Sequence, residues 1–359
     1  MLNTVVKQCS GARRRLARAT SGLALATMLL TGSPLFEGSP AKAQTLEVVR
    51  TETQPTFTGF PTFVADKMGF FKAHGIDARI RYVQSGAPTL QSAAVDGWDV
   101  AFLGAPPAVI GASSLGLIIV GMIMDEGRYH ELIGRPDYVA SVEADHKRLD
   151  GAKIFVTTLS TGHYMVEGCL RRLGLKLSDV SIIPSDQPAT VSAFEAGQGD
   201  LAQVWPPQST VLRGKGDKVL CDGAAAQLVI PSVWVATPKF LKAHPELVTR
   251  WLAANLDAIA WMKKDFGRTL ALYKQFDTFR GYNLPEAALN DETRIAMSEF
   301  LSDQQIAEMT GPNPPLAVAL DGIGAFFVRA GRLQRVPDFT KLIDVAPLQL
   351  AATQVSKAP

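Results

Sequence analysis

The chain has 359 residues, 47% of them apolar, with 36 Lys and Arg against 34 Asp and Glu. This length and composition suit one large or two modest globular domains. The charge is nearly balanced, and no basic patch in the sequence suggests a nucleic-acid-binding protein.

The first 43 residues have the features of a secretory signal peptide. A basic region ending at Arg18 precedes an apolar stretch over residues 23–30, and the triplet Ala41-Lys42-Ala43 predicts cleavage after Ala43. The apolar stretch is shorter than the roughly 20 residues that span a membrane. The arginines at 13–15 leave the twin-arginine and the general secretory routes both open. We therefore predict a periplasmic protein with a net charge of −3 after cleavage.

Short β-type runs alternate with helical patterns as far as residue 237. The predicted strands are Leu46–Thr51, Ala78–Val83, Val100–Leu103, Leu117–Met124, Lys153–Thr157, Val180–Ile183, Leu201–Trp205 and Val233–Thr237. The helical patterns between them are Phe63–Ala73, Thr89–Val95, Tyr164–Leu173 and Thr190–Glu195. This alternation is typical of an α/β protein with mostly parallel sheets. After Pro238 only helical patterns follow.

Two distant segments of the chain are faintly similar. Residues 99–103 lead to Pro106-Pro107, and residues 200–205 lead to Pro206-Pro207. Each segment follows a strand, a polar loop and a helix. The similarity predicts two lobes built from the same unit.

The order of several segments resembles the type II periplasmic solute-binding proteins of the nitrate/sulfonate/taurine ABC-importer family, which has relatives that bind pyrimidine precursors. The matching segments are residues 63–71 and 75–77, 97–101, 157–161, 196–202 and 240–248. The resemblance implies two α/β lobes joined by two crossover strands, with the ligand in the cleft between them. It implies a monomer that passes a small solute to a permease and its ATPase, contacting the membrane only through that permease.

The resemblance also implies an order of domains along the chain. We expect residues 44–137 to begin lobe I, residues 138–231 to form lobe II, and residues 232–359 to complete lobe I with a return strand and C-terminal helices. The crossings are expected near Ile133–Tyr138 and Ser232–Thr237.

Open α/β sheets bind ligands at the carboxyl ends of their strands, which selects candidate residues in lobe I. After the first strand, side chains offer hydrogen bonds or a stacking face: Thr53, Gln54, Thr56 and Phe57. The second set of candidates is Ser85, Gly86 and Ala87, which precede a predicted helix. Their free backbone N–H groups suit an anion or a carbonyl. Gly104 and Ala105 let a ligand approach the backbone. Each set also has a purely structural alternative. The loop after the first strand could be an ordinary solvated loop, residues 85–87 could form a helix cap, and residues 104–105 could form a simple turn.

In lobe II, a hydroxyl-rich loop before the helix at Tyr164 is the best oxyanion candidate. Its residues are Thr158, Ser160, Thr161 and Gly162, with His163 beside them, and helix capping is the alternative. Trp205, at a strand end, offers an aromatic face or interlobe packing.

None of these loops contains an arginine, which departs from a simple strong-anion pocket and leaves room for a neutral or aromatic ligand. Arg50 lies within the first strand, and Arg128 and Arg135 lie near the first crossing. We expect Arg128 and His130 to form a surface ion-pair cluster with the acidic residues at 125 and 126.

Motifs for catalysis are missing from the sequence. It has no P-loop, no G-x-S-x-G elbow and no histidine pair with metal-ligand spacing, so we predict no cofactor, no metal and no enzymatic activity. The alternative is a biosynthetic enzyme or a sensory protein on the same fold. Cys169 and Cys221 form either a disulfide or two unpaired buried thiols, and we favour the unpaired thiols.

Overall fold

The computed structural model describes residues 45–309 and 315–355, so the predicted signal peptide lies outside the described residues. Ten strands occur in this part of the chain: β1 (Glu47–Thr53), β2 (Ile76–Tyr82), β3 (Val100–Gly104), β4 (Ile118–Asp125), β5 (Glu131–Gly134), β6 (Lys153–Val156), β7 (Ser181–Pro184), β8 (Leu201–Val204), β9 (Lys218–Asp222) and β10 (Pro231–Ala236).

Helices separate most of the strands and then occupy the C-terminal third. Through α8 they are α1 (Phe60–Lys67), α2 (Phe70–Ala73), α3 (Gly86–Ala93), α4 (Ala105–Leu115), α5 (Pro136–Ala144), α6 (Thr161–Arg172), α7 (Gln187–Glu195) and α8 (Gln208–Gly214). The remainder are α9 (Pro238–Ala243), α10 (Pro245–Lys264), α11 (Phe266–Phe279), α12 (Glu286–Glu299), α13 (Asp303–Met309), α14 (Pro315–Arg329) and α15 (Ala346–Gln354). No helix within the described ranges is long and apolar enough to cross a membrane.

The strands form two five-stranded sheets with the same layout. The first has the order β2-β1-β3-β10-β4, and the second has the order β7-β6-β8-β5-β9. In each sheet one strand, β10 or β5, runs antiparallel to the other four. The prediction of mostly parallel sheets is therefore confirmed. We call the first sheet with its helices lobe I and the second sheet with its helices lobe II.

The two similar segments occupy equivalent places in the two sheets, at the start of β3 and of β8. Asp99 accepts a hydrogen bond from the backbone N–H of Arg50 in β1 at 2.8 Å. Asp200 accepts one from the backbone N–H of Lys153 in β6 at 2.7 Å. Each aspartate thus pairs its strand with the neighbouring parallel strand, which gives the sequence similarity a physical cause.

The chain crosses between the lobes on either side of lobe II. It leaves the first sheet after Asp125 and enters the second at Glu131, and it returns between Asp222 and Pro231. The segments 133–138 and 232–237, where we placed the crossings, lie instead in β5 with the start of α5 and in β10. Strands β5 and β9 were not predicted, because both apolar runs are short and have charged residues at their ends.

Lobe I has an aromatic core beneath α10. All six residues of β10 are buried, and Trp234 packs edge-on against Trp251 of α10 with ring centroids 6.0 Å apart. The Trp251 indole also donates a hydrogen bond to the Thr51 hydroxyl at 2.9 Å. Burying an aromatic ring while satisfying its N–H fixes α10 against the sheet.

The C-terminal helices were expected to pack on lobe I, and they contact lobe II as well. In α12, Glu292 accepts a hydrogen bond from Thr210 of α8 in lobe II at 3.2 Å. In α14, the Phe326 ring lies 5.5 Å from the Tyr164 ring of α6. Arg329, also in α14, pairs with Glu167 of α6 at 2.8 Å. These helices therefore bridge the lobes outside the crossings.

Cys169 and Cys221 form a disulfide that joins α6 to β9, with their Cα atoms 6.1 Å apart. The expectation of two unpaired thiols was wrong. The sequence separation gave no indication of the pairing, because it is the packing of α6 on the second sheet that brings the two residues together. A disulfide is typical of proteins in oxidising compartments.

Replacing both cysteines by alanine should lower the free energy of unfolding by about 2–4 kcal/mol, because the crosslink restricts the unfolded chain. Urea unfolding measures the change. Wild-type protein treated with dithiothreitol serves as the control, since reduction removes the bond without shortening a side chain. Equal stability of oxidised and reduced wild type would contradict the expectation.

Candidate functional site

A narrow cavity lies between the lobes, at the carboxyl ends of β1 and β3. Its lining residues come from both lobes and from the first crossing: Gln54, Thr56, Thr58, Ser85, Gly86, Gly104, Pro107, Glu126, Tyr129, His130, Ser160, Thr161 and Trp205. The free volume of about 30 Å³ admits only a few water molecules. The lobes are therefore close together at this point.

The lobe I wall includes the N-terminus of α3. Ser85 is the N-cap residue, and its side chain makes no capping hydrogen bond. A Cβ atom at Gly86 would lie 2.5 Å from the Pro107 side chain, so glycine is required for this close packing. The first backbone N–H groups of α3 have no side-chain cap, and such groups favour a carbonyl or an anion.

The lobe II wall is the N-terminus of α6. The Ser160 hydroxyl donates a hydrogen bond to the Thr157 carbonyl at 2.6 Å and accepts one from the His163 backbone N–H at 3.3 Å. Ser160 is thus a true N-cap. The buried Thr161 hydroxyl makes no hydrogen bond within the described residues, which leaves it available to a ligand.

Gly104 allows the two lobes to meet at the cavity. A Cβ atom there would lie 2.2 Å from the Thr161 hydroxyl oxygen and 3.4 Å from a carboxylate oxygen of Glu126. A larger residue at position 104 would separate Thr161 from the lobe I wall. Here the requirement for glycine comes from close approach rather than from a turn.

The first crossing contributes a buried acid and a buried imidazole. The Glu126 carboxylate accepts a hydrogen bond from the Ser232 hydroxyl and lies 2.9 Å from His130 Nε2. The Glu126 and His130 side chains are only 4% and 7% exposed. His130 Nδ1 is buried without a hydrogen-bond partner in the described residues. The acid and the imidazole therefore belong to the cavity wall.

This arrangement corrects the expected surface ion-pair cluster. Glu126 and His130 are buried, while Arg128 is exposed and lies 3.7 Å from Glu299. The Asp125 carboxylate accepts hydrogen bonds from the backbone N–H groups of Gly127 and Ile230, both at 2.9 Å. Burial raises the pKa of Asp125.

Gln187 of α7 positions Trp205. Its side-chain oxygen accepts a hydrogen bond from the Trp205 backbone N–H at 3.1 Å. Its amide nitrogen donates to the Thr157 hydroxyl at 3.0 Å and to the Gln203 carbonyl at 3.2 Å. The Trp205 ring then lies edge-on to His130, with centroids 5.3 Å apart. One buried amide thus connects the two lobe II segments that reach the cavity.

The loop before α6 is backbone-strained. Leu159 has φ of 61°, in the left-handed region that a leucine rarely adopts. Its backbone N–H donates a hydrogen bond to His163 Nδ1 at 3.2 Å. The His163 ring lies 5.3 Å from Phe326, and burial and Arg332 both lower the pKa of His163. His163 therefore supports the loop and does not line the cavity.

The predicted site residues divide into three groups. Those that line the cavity are Gln54, Thr56, Ser85, Gly86, Gly104, Ser160, Thr161 and Trp205. Two residues, Ala87 and Thr158, line an adjoining cavity between α3 and the loop before α6. The residues outside both cavities are Thr53, Phe57, Ala105, Gly162 and His163.

Phe57 is the clearest of the displaced residues. Its ring is fully buried and packs against Phe60, Tyr273 and Phe300, with centroids 5.0–5.4 Å away. The expectation of a stacking face for a ligand was wrong, because this ring belongs to the lobe I core. Thr53 and Ala105 are likewise buried, and a Cβ at Gly162 would collide with the Gln203 side chain.

Sequence reasoning missed five lining residues: Thr58, Pro107, Glu126, Tyr129 and His130. Three of them belong to the crossing, which we placed too late in the chain. Glu126 directly follows the end of β4, so the rule that selected the other strand ends would have found it.

The described lining residues include no lysine or arginine. Arg50 bonds to Asp99 at 2.5 Å through its guanidinium, and Arg135 donates hydrogen bonds to the Phe194 and Gly199 carbonyls. The guanidinium groups considered from the sequence therefore serve the fold. Helix N-termini, hydroxyls, the Gln54 amide, the Glu126 carboxylate and the His130 imidazole define the polarity of the cavity.

Comparison with known proteins places the chain among solute-binding proteins. A family model described as NMT1/THI5 like matches residues 54–265. The chain is 26% identical to a putative aliphatic sulfonates-binding protein of Bacillus subtilis, across 74% of this chain and 80% of that protein. It is 30% identical to the taurine-binding periplasmic protein of Escherichia coli, across 53% of this chain and 58% of that protein.

Solved structures show the same fold. The periplasmic aliphatic sulphonate-binding protein SsuA of Escherichia coli matches with a TM-score of 0.66 and 16% identity, over 83% of this chain and 92% of that one. The nitrate-binding protein NrtA of Synechocystis matches with a TM-score of 0.69 and 15% identity, over 87% of this chain and 90% of that one. The desulfurization enzyme DSZB matches with a TM-score of 0.58 and 15% identity, over 86% of this chain and 100% of that one. The predicted two-lobed fold and the resemblance to this group of binding proteins are confirmed.

Replacing Gln187 by leucine should lower the free energy of unfolding by about 1–3 kcal/mol, because buried polar groups around Trp205 would lose their partner. Urea unfolding measures the change. Ser192→Ala, on the exposed side of α7, is the matched control and should change stability by less than about 0.5 kcal/mol. Equal stability of the two variants would show that the Gln187 hydrogen bonds do not hold this wall.

Proposed function

Because the chain belongs to the NMT1/THI5-like family, we propose that it captures a small organic solute in the interlobe cavity and delivers it to an ABC importer. The observation that carries this proposal is the cavity itself, where polar groups from both lobes converge at the carboxyl ends of strands. Its partners are then a permease and the associated ATPase, and it works as a monomer.

Ligand entry requires the lobes to separate, because the cavity is so narrow. We place the lobe boundaries in the two crossings, at residues 126–130 and 223–230, where few backbone torsions must change. Hinge closure around a ligand is the expected motion for two lobes joined in this way. A solute that contacts both Ser85 and Thr161 stabilises the closed form through those contacts.

The chemistry of the walls supports a solute with an oxyanion or a carbonyl group. The N-termini of α3 and α6 offer backbone N–H groups, and Thr161 offers a hydroxyl. The relatives named for sulfonates and taurine support this class. A related small acid or a pyrimidine remains within the same class of hydrogen-bond acceptors.

Binding without conversion is the activity we propose. The order of contacts Ser232–Glu126–His130 differs from a hydrolytic triad, in which the imidazole stands between the hydroxyl and the acid. Cys169 and Cys221, the cysteines of the described residues, are joined and offer no thiol nucleophile. An enzyme on the same fold is the second candidate, because the desulfurization enzyme DSZB shares this fold.

Export to the periplasm completes the proposal. The mature protein should begin at Gln44, since cleavage is expected after Ala43. N-terminal sequencing of protein from the periplasmic fraction tests this. An intact leader on membrane-bound protein would contradict it. Replacing Arg13 and Arg14 by lysine distinguishes the routes, because only the twin-arginine route should then fail.

Thr161→Ala should weaken solute binding about five- to a hundredfold, because a hydrogen bond to a buried ligand is lost. A thermal-shift screen of sulfonates, taurine, carboxylates and pyrimidines identifies the solute, and titration calorimetry measures its affinity. Thr353→Ala, on the exposed surface of α15, is the control and should leave affinity unchanged.

Unchanged affinity in folded Thr161→Ala protein would place the binding site elsewhere. Mass spectrometry of the solute recovered after titration should find it intact. Conversion of the solute would favour the enzyme candidate.

A further inference from the structure

Among the described residues, the cavity has none of the lysine or arginine side chains that a simple anion site would use. The acidic and basic side chains in its described lining are those of Glu126 and His130. Relatives named for sulfonates would suggest a pocket that balances a negative charge. This pocket instead places a carboxylate in its wall, and its lining over residues 45–309 and 315–355 has no lysine or arginine.

A buried carboxylate is costly unless opposite charge or hydrogen bonds compensate it. Glu126 has two protein partners, the Ser232 hydroxyl on one oxygen and His130 Nε2 on the other. A carboxylate has about four acceptor positions. Two of them remain, and the close approach of Gly104 and Thr161 places this end of the carboxylate at the junction of the lobes.

The described lining residues place no lysine or arginine beside Glu126. The Glu126 carboxylate contacts the Ser232 hydroxyl and His130 Nε2, and His130 Nδ1 has no hydrogen-bond partner in the described residues. The carboxylate and this ring nitrogen therefore both keep positions that a ligand can use.

Two aromatic residues, Tyr129 and Trp205, complete this part of the wall. The carboxylate favours a cation, and the aromatic side chains beside it favour an organic one, because they supply apolar contact area. A metal ion fits less well. No group of three or more His, Cys, Asp or Glu side chains in the described ranges is placed to hold one.

We propose that the solute carries a protonated amine, which lies against Glu126, and an oxyanion, which the N-terminus of α6 binds at Thr161. This inference rests on the proposed function and narrows its solute to small zwitterions such as amino-sulfonates and amino-carboxylates. Glu126 is then the residue that discriminates between a zwitterion and a simple anion of the same size.

Titration calorimetry on matched pairs tests the proposal. Taurine is compared with isethionate, and β-alanine with 3-hydroxypropionate, since each pair differs only by an amine in place of a hydroxyl. In the wild type, at least one amine compound should bind about ten- to a hundredfold more tightly than its partner. In Glu126→Gln that preference should disappear.

Ser232→Ala is the matched control. It removes a hydrogen bond from Glu126 but keeps the charge, so the preference for the amine should persist. Circular dichroism and thermal melting establish that both variants are folded. If Glu126→Gln does not fold, the wild-type comparison of the matched pairs still decides between zwitterion and anion.

Several results would overturn the inference. Equal binding of amine and hydroxyl partners by the wild type would do so, as would an unchanged preference in folded Glu126→Gln. If amine-free anions bound more tightly as the pH falls, a protonated His130 and not Glu126 would determine which solutes the pocket accepts. If another solute from the wider screen binds and Thr161→Ala weakens it, the amine is rejected while the cleft function stands. If no solute binds in a Thr161-dependent way, the proposed function fails as well.

Discussion

The two crossing segments are hydrogen-bonded to each other, and the geometry of the cleft depends on this pairing. The Asp125 carboxylate accepts from the N–H groups of Gly127 and Ile230, and the Glu126 N–H donates to the Ile230 carbonyl at 2.7 Å. The Gly223 N–H similarly donates to the Gly127 carbonyl at 2.7 Å. Three of these bonds join the two crossings directly, between Asp125 and Ile230, Glu126 and Ile230, and Gly127 and Gly223. The second crossing therefore holds the backbone of Glu126 in place beside the cavity.

Much of the fold could be predicted because its repeats are encoded locally. The aspartates before β3 and β8 each bond to a backbone N–H of the neighbouring strand, so the same short motif marks equivalent places in both sheets. What could not be predicted depends on long-range packing. The partner of Cys169 is set by the docking of α6 on the second sheet. The burial of Phe57 is set by Tyr273 of α11 and by Phe300, directly after α12, both more than 200 residues later in the chain. Many lining residues were predicted correctly because they follow the ends of predicted strands. Glu126 was missed because we expected the first crossing several residues later in the chain.

The fold alone does not determine the solute. The same architecture is found in proteins named for sulfonates and nitrate and in a desulfurization enzyme, so chemistry must be argued from the site. In this chain the arginines considered from the sequence bond to Asp99, to Glu299 or to backbone carbonyls. The cavity is lined by helix N-termini, hydroxyls, the Glu126 carboxylate and the His130 imidazole. A binding site that uses backbone dipoles instead of arginine can accept a small anionic group without requiring it to be the whole ligand.

Contacts made by the C-terminal helices contribute to the free-energy difference between the open and closed forms that the proposed function requires. The contacts Glu292–Thr210 and Arg329–Glu167 join the lobes without involving the cavity. The Arg329 side chain is more than half exposed, so its ion pair with Glu167 contributes at most about 1 kcal/mol to the contact between the lobes. The Glu292 contact is buried and belongs to a cluster with Arg280, whose side chain is fully buried. Such contacts alter the fraction of closed protein, and the apparent dissociation constant varies inversely with the competent fraction. If the proposed closure is correct, we expect substitutions at this remote contact to change solute affinity through the closing equilibrium and to leave the proposed discrimination by Glu126 unchanged.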